Sequence, residues 1–450
     1  MSATLIRGLG LFVPILAVAV AVVVASGSAA RPPGSVDRSA FRNRADTGGP
    51  VGRADHGARA PEGGSRIDGR RIGAAVLATA WNLLALVPVN LAGWWTFDVQ
   101  GAAIAGLPVD LMLGWALLWG ALPALAAPLA PIPLTAAALA WLDLAVMPLA
   151  HPVVRLGEDW LLGETVAVAV ALVPGLLLTR WTVASTRLPL RALFQIVLAA
   201  GYGLAAPVAW TGLWERPAWA LALIAQLLAV PSALGLAAVR EFAARGGGTP
   251  FPYDPPRRLV TGGPYAYVRN PMQVAMTACY LVMAVLDVRL LAAAAVAVAY
   301  GAGLAAWHEG EQLSRAHGRS WHRYRSRVRA WLPRLRPETP HATVYVDLSC
   351  GMCTEVGSWI GAKRPVALTV ADAADLPEMP RRLTYEREDG ARAAGVAALA
   401  HVLTHIHLGW ALLGWLLLVP GVTGFAQLCT DAFSPTRAPA RRPRRSRRGT

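Results

Sequence analysis

Two polar stretches bracket a short apolar pair in the second half of the chain. The first reads Arg257-Arg258-Leu259-Val260-Thr261-Gly262-Gly263-Pro264-Tyr265-Ala266-Tyr267-Val268-Arg269-Asn270-Pro271. The second reads Trp307-His308-Glu309-Gly310-Glu311-Gln312-Leu313 and continues through His317-Gly318-Arg319-Ser320-Trp321-His322-Arg323-Tyr324. Gly262-Gly263-Pro264 is a turn whose backbone amides can come close to a ligand. Arg269 can grip a carboxylate with both arms of its fork. Glu309 and Glu311 can hold an ammonium, and Tyr265, Tyr267, Trp321 and Tyr324 offer aromatic faces that attract a cation. A ligand with an amino-acid end, an adenine ring and a sulfonium meets all of these demands: S-adenosylmethionine. The same residue types also make up the belts of Arg, Trp and Tyr found at membrane borders, and the types alone do not separate the two readings.

A second chemical pattern follows. Cys350-Gly351-Met352-Cys353 stands after an alternating segment, His341–Asp347, that reads as a strand. A C-x-x-C at a strand-to-helix junction suits dithiol redox chemistry, because a helix N-terminus lowers the first thiol's pKa. Zinc would need two further ligands. His401, His405 and His407 lie farther on, the first two at helical spacing, but no metal site is expected. Two cysteines packed under a strand are the bland alternative.

The elements that must position these groups are mostly membrane helices. Hydrophobic residues make up 55% of the 450 residues and charged ones 15%, against about 25% charged in a soluble domain. That excludes a disordered chain and argues against a purely soluble enzyme. Residues 1–30 form an N-terminal apolar helix, read as a signal peptide or a first membrane helix, with the uncleaved form favoured. Residues 31–71 have almost no aliphatic side chains and read as a flexible basic linker. Apolar runs then recur at about 72–93, 107–128, 131–149, 162–179, 189–211, 217–239, 272–286 and 288–306, near the ~20 residues a bilayer needs, with the last pair short and joined as a hairpin. Basic residues concentrate in 31–71, 180–191, 240–271 and 307–340, which places these loops in the cytoplasm. The formal charge of +15 suits an anionic leaflet rather than nucleic acid.

After residue 340 the pattern changes to a small α/β domain, 341–434. Strands are expected at His341–Asp347, Pro365–Val370 and Arg382–Arg387, and a helix at Ala391–Ile406. Leu408–Leu418 is apolar but short, and reads as a buried or interfacial helix. The tail 435–450 holds seven Arg and reads as disordered.

The order L-V-x-x-G-P-Y-x-x-x-R-N-P, apolar hairpin, then E-x-x-x-L-x-x-x-x-G-x-x-(aromatic)-x-x-Y resembles the isoprenylcysteine carboxyl methyltransferase and phospholipid methyltransferase superfamily over residues 215–338. The resemblance implies an integral-membrane, S-adenosylmethionine-dependent methyltransferase whose lipophilic or lipid substrate arrives from the bilayer. Carried over by position, Gly263, Pro264 and Tyr265 shape the cofactor loop, and Arg269, Asn270 and Pro271 sit against the cofactor. Glu309 contacts the amino group of the methionine part, and Tyr324 closes the pocket. His308 or Glu311 could accept a proton from an amine substrate, and Arg269 could pin an acidic one. The family often has two adjacent Glu where this chain has Glu309-Gly310, a Phe at His317, and a Tyr at Gln273 and Trp321. Residues 342–434 resemble the DCC-type thiol–disulfide oxidoreductase-like family, through V-Y-V-D-L-S-C-G-M-C and Asp389-Gly390. That likeness implies a thioredoxin-like domain with Cys350 and Cys353 as the reactive pair.

The expected architecture is mainly α: a polytopic transmembrane helical protein of a bacterial inner or plasma membrane. A region of unassigned role (72–214) precedes the methyltransferase-like core (215–340), and a small C-terminal α/β thioredoxin-like domain follows. The expected activity is methyl transfer to an isoprenoid or lipid acid, amine or phenol. A membrane-bound thiol–disulfide oxidoreductase using Cys350 and Cys353 is the alternative. Asp110, Asp143, His151, Glu158, Asp159 and Glu164, in or beside the middle spans, are further candidates for a substrate or proton role.

Overall fold

Runs of Ala, Leu and Val leave the backbone no partner in lipid but itself, and they form helices. The computed structural model describes residues 2–28, 68–250, 254, 256–380 and 382–433, without the side chains of Leu304, His308, Met352 and Phe433. The linker expected at 31–71 lies outside the described residues up to 67, as does the whole 435–450 tail. Among the described residues seven helices are long and apolar enough to cross a membrane. They are α1 (Ala3–Ser28), α2 (Gly69–Leu91), α3 (Val109–Ala126), α4 (Ile132–Ala150), α5 (Trp160–Val183), α6 (Leu188–Thr211) and α7 (Ala218–Gly246). Helix α2 begins at Gly69, inside the expected linker, where the Asp68 carboxylate accepts from the Arg70 amide. Helices α8 (Pro271–Met283) and α9 (Leu290–Gly303) form the expected hairpin but are shorter than expected. At 1.5 Å per residue each spans only about 20 Å, less than the ~30 Å hydrocarbon core.

The chain divides into two compact units, Met1–Leu198 and Ala199–Thr450. In the first, Leu86 and Val89 of α2, Trp119 of α3 and Leu172 and Leu176 of α5 share a core with Trp95. Trp95 lies on β1 (Trp95–Phe97). A two-strand turn, β2 (Ala103–Ile104) with β3 (Leu107–Pro108), leads into α3, and β4 (Val154–Leu156) pairs antiparallel with β1. Asp110 is ion-paired with Arg7 of α1 at 2.7 Å. Asp143 and Glu164 come close enough to interact across α4 and α5, whereas Glu158 and Asp159 are exposed.

In the second unit the α8–α9 turn is pinned by Asp287. Its carboxylate accepts from the Arg289 amide at 2.9 Å and from the Arg289 guanidinium at 2.7–3.2 Å, and these bonds hold its pKa down to about 2. Arg289 also donates to the Thr211 carbonyl and stacks on Trp210 at the end of α6. Helix α10 (Ala306–Arg327) breaks at Gly318 (φ 46°, ψ −118°), a conformation open in practice only to glycine.

Residues 342–394 carry a four-stranded sheet in the order β6-β5-β7-β8. Strand β5 (Ala342–Val346) is parallel to β6 (Leu368–Asp372) and antiparallel to β7 (Thr384–Arg387), which pairs with β8 (Arg392–Ala394). Helix α11 (Gly351–Ala362) follows β5. The helix expected over Ala391–Ile406 is instead β8 followed by α12 (Val396–Leu403), because Gly395 (φ 63°) turns the chain. Helix α13 (Leu408–Leu417) does not stand apart as a peripheral helix. Its Ala411 and Trp415 pack on Ala233, Leu234 and Ala237 of α7 and on Ala275 of α8. Arg240 of α7 donates to the Leu418 carbonyl that ends α13, a cation capping a helix C-terminus. Helix α14 (Val422–Phe433), bent 88° from α13, was not legible in the sequence.

Trp415 is fully buried and edge-on to Tyr267 with ring centres 5.5 Å apart. Trp415→Ala should lower the unfolding free energy of the detergent-purified protein by about 3–5 kcal/mol, as for other buried tryptophans. A loss below half a kcal/mol in thermal or denaturant unfolding would mean that α13 does not pack on the membrane helices.

Candidate active site

Between α7 and α8, residues 262–268 are irregular and buried throughout. Gly263–Ala266 makes a single 3-10 turn, and Ala266, Tyr267 and Val268 are at most 1% exposed. Gly263 sits at φ +57°, where a side chain would be strained, and Pro264 fixes the next φ. The segment obtains its hydrogen bonds from the chain after α10. Glu338 N donates to Ala266 O and Arg334 N to Tyr267 O, both at 2.9 Å. Arg269 N donates to Arg329 O at 2.8 Å and Asn270 N to Ala330 O at 3.2 Å. Asn270 then caps α8, whose first residue, Pro271, occupies a position where its missing amide hydrogen costs nothing.

Beyond the Gly318 break, α10 turns its aromatic side chains onto this segment. The Tyr324 hydroxyl donates to the Tyr265 carbonyl at 2.8 Å, and Trp321, Tyr324 and Val328 share a core with Ala238, Val260 and Tyr265. Arg269 lies with its guanidinium 5.6 Å from the Trp321 ring centre and donates to the Arg325 and Val328 carbonyls at 3.3 and 3.4 Å. It therefore caps the end of α10. Burial and the neighbouring Arg325 lower its pKa.

Glu309 is exposed in the first turn of α10. It nevertheless acts on Tyr265: burial raises that phenol's pKa well above the usual range, and Tyr324, Glu309 and Glu241 raise it further. Glu311 is ion-paired with Arg315 one turn along. The side chain of His308 is outside the described ones. The structure thus brings Gly263, Pro264, Tyr265, Arg269, Asn270, Pro271 and Tyr324 into one cluster, with Glu309 acting on it through charge.

Two residues that the sequence reading passed over stand behind the glycine pair. Glu241, in the last turn of α7, is buried and ion-paired with Arg387 of β7. Arg387 also donates to both Asp389 oxygens at 2.7–2.9 Å. A carboxylate closing an otherwise apolar span was the available signal for Glu241; nothing local marks Arg387.

The Cys350 and Cys353 thiols are half-buried, form no disulfide, and interact with each other. Cys350 caps α11, and burial together with the neighbouring Cys350 raises the Cys353 pKa. His405 spends one ring nitrogen on the Val366 carbonyl and the other on the Tyr385 hydroxyl, each at 2.8 Å. Burial holds it neutral with a pKa of about 4, and His401, stacked on Tyr385, has one of about 3.

Residues 219–319 match the family model for phospholipid methyltransferase. That stretch runs from α7 through the turn and the hairpin into α10, and it joins a membrane methyltransferase family signature to the geometry above. The match ends before the sheet, and the thiol–disulfide oxidoreductase likeness expected for 342–434 has no support among the comparisons. No curated protein and no solved structure matches the chain.

Tyr324→Phe leaves the buried Tyr265 carbonyl without its donor and should cost about 1–3 kcal/mol in chemical unfolding. The Tyr265 and Tyr324 phenols ionise above their ordinary range. The neutral phenols therefore support the fold fully below the unfolded tyrosine value of about 10, and that support is lost as pH climbs above it. Ultraviolet titration should show a late-ionising group of tyrosines, Tyr265 and Tyr324 together with Tyr267 and Tyr385, that becomes ordinary on unfolding; normal titration of all tyrosines in the folded protein would contradict the described burial.

Proposed function

We propose that the core built on α7–α10 is an S-adenosylmethionine-dependent methyltransferase of the membrane. Its acceptor is a lipophilic acid, amine or phenol that approaches from the bilayer. The observation that carries this reading is the coincidence of the family match with the clustered turn. The residues matched by the phospholipid methyltransferase model include Gly263-Pro264-Tyr265 and the Glu309 that acts on Tyr265 through charge, and Tyr324, five residues past the match, donates to the Tyr265 carbonyl.

The donor set fits a sulfonium nucleoside with an amino-acid end. Glu309 supplies the carboxylate for an ammonium, and the glycine pair leaves backbone within reach. Tyr265, Trp321 and Tyr324 form an aromatic wall that stabilises positive charge. Arg269 is committed to the end of α10, so its part is to hold that wall and the Asn270-Pro271 start of α8 in place. When bound, S-adenosylmethionine supplies a methyl group already activated by its sulfonium, so the protein's own work is alignment and exclusion of water. A carboxylate or phenolate acceptor needs no base here. An amine acceptor must first lose a proton, for which His308 is the nearest ionisable neighbour of Glu309 in the chain. We place the turn, α10 and the C-terminal sheet on the cytoplasmic side, because the basic segments 240–271 and 307–340 flank them.

Equilibrium binding of S-adenosylmethionine to the detergent-purified full chain tests the reading. Wild type should bind. Glu309→Ala should weaken binding at least tenfold, about 1.4 kcal/mol, and Arg269→Ala should weaken it through the loosened end of α10. A folded wild-type protein that does not bind ends the proposal. Reporter fusions after Arg245 and after Arg336 should both report cytoplasm; an external signal from either removes the cytoplasmic site.

A further inference from the structure

The C-terminal sheet reaches the candidate cofactor turn through one buried side chain. Arg387 is the last residue of β7, and its side chain is 1% exposed. The β7–β8 turn that follows is closed by Gly390 (φ +85°), whose amide donates to the Arg387 carbonyl at 2.8 Å. This turn swings Asp389 back onto the guanidinium, where both its oxygens accept. The Nη2 that donates to Asp389 also donates to Glu241, near the end of α7.

The glycine pair of the turn lies against this ion cluster. A Cβ placed on Gly262 would fall 2.5 Å from the Arg387 Cζ, and one on Gly263 would fall 3.3 Å from the Glu241 carboxyl carbon. Moving Arg387 aside would break the bonds of a guanidinium that is itself out of water to two carboxylates, so the contact is stiff. Burial opposes the guanidinium's charge, but the Asp389 bonds and the Glu241 charge outweigh it and raise its pKa. The same bonds keep Asp389 ionised below the usual carboxylate range despite its partial burial. Two further ties run from the C-terminal segment to the turn: the Tyr267 hydroxyl donates to the Thr404 carbonyl at 2.9 Å, and Trp415 meets the Tyr267 ring edge-on.

We propose that Arg387 is a positioning residue of the methyltransferase site, and that the C-terminal sheet is a built-in clamp holding the Gly262-Gly263-Pro264-Tyr265 turn in its ligand-ready shape through the Arg387–Glu241 pair. The clamp rests on the methyltransferase reading for its purpose. It gives the segment after residue 340 a role at the methyl-donor turn in place of an independent one.

The test uses the detergent-purified full chain and reads two quantities: the dissociation constant for S-adenosylmethionine and the amide hydrogen exchange of residues 262–268 without ligand. Arg387→Met should raise exchange across 262–268 at least tenfold and weaken binding about tenfold. Arg387→Lys, which keeps the charge and loses the fork, should recover part of both. Glu241→Gln removes one charge from the same contact and should move both readouts in the same direction, and Gly262→Ala, which presses a Cβ onto the guanidinium, should do so as well; Glu241→Gln decides the matter if Arg387→Met does not fold. Unchanged exchange and affinity in folded variants would overturn the clamp, as would a uniform rise in exchange over the whole chain. If wild type does not bind the nucleotide, the methyltransferase reading fails, while the exchange readout still decides whether Arg387 holds the turn.

Discussion

A buried backbone that is not helical must find its hydrogen bonds elsewhere in the chain. The segment between α7 and α8 imposes that constraint, and the second unit is arranged to meet it. It cannot continue as helix, because Gly263 takes a left-handed conformation and Pro264 and Pro271 remove donors. Its carbonyls and amides are met instead by Tyr324, Arg329, Ala330, Arg334 and Glu338, all within one stretch some sixty residues downstream. The break at Gly318 serves the same end. Without it, α10 would run straight on and carry Trp321 and Tyr324 away from the turn.

Charge is handled under the same constraint. Arg269, half-buried, is spent on helix-end carbonyls and a tryptophan face, so its charge is spread over dipoles and a ring. Arg387, more deeply buried, takes two carboxylates. Removing one member of such a cluster would leave an uncompensated charge away from water, which costs far more than the intact cluster contributes. The hairpin turn shows a half-exposed version of the device, the buried Asp287 with an Arg289 that reaches solvent and is tied to the end of α6.

Helix α8 is short for a bilayer, whereas α9 continues through residues 301–305 into α10 without a break. Helix α7 runs 29 residues, Ala218–Gly246, so its end carries Arg240 and Glu241 beyond the apolar part of the span. There they meet α13 and β7. Small residues at Ala233, Ala237 and Ala275 let α13 approach closely enough for Trp415 to reach Tyr267. The stretch that matches the phospholipid methyltransferase model is thereby packed against a C-terminal segment that the match does not reach.

The sequence by itself determined the helices and the site's chemical character. Apolar runs can satisfy their backbone in lipid only as helices, and Gly-Gly-Pro, Arg-Asn-Pro and a Glu-to-Tyr spacing carry local conformational and chemical meaning that one-dimensional reading captures. The ends of elements were less legible: Gly395 divides what reads as one helix over 391–406, and Gly69 starts a helix within an apparent linker. Tertiary structure alone decided which groups those residues serve. Arg269 is free on paper and a helix cap in space. Glu241 and Arg387 lie 146 positions apart and share no pattern, yet burial forces each to find an opposite charge. The physical reason is that helical and turn preferences act over a few residues, whereas the demand to pair every buried charge and backbone group is met across the whole unit.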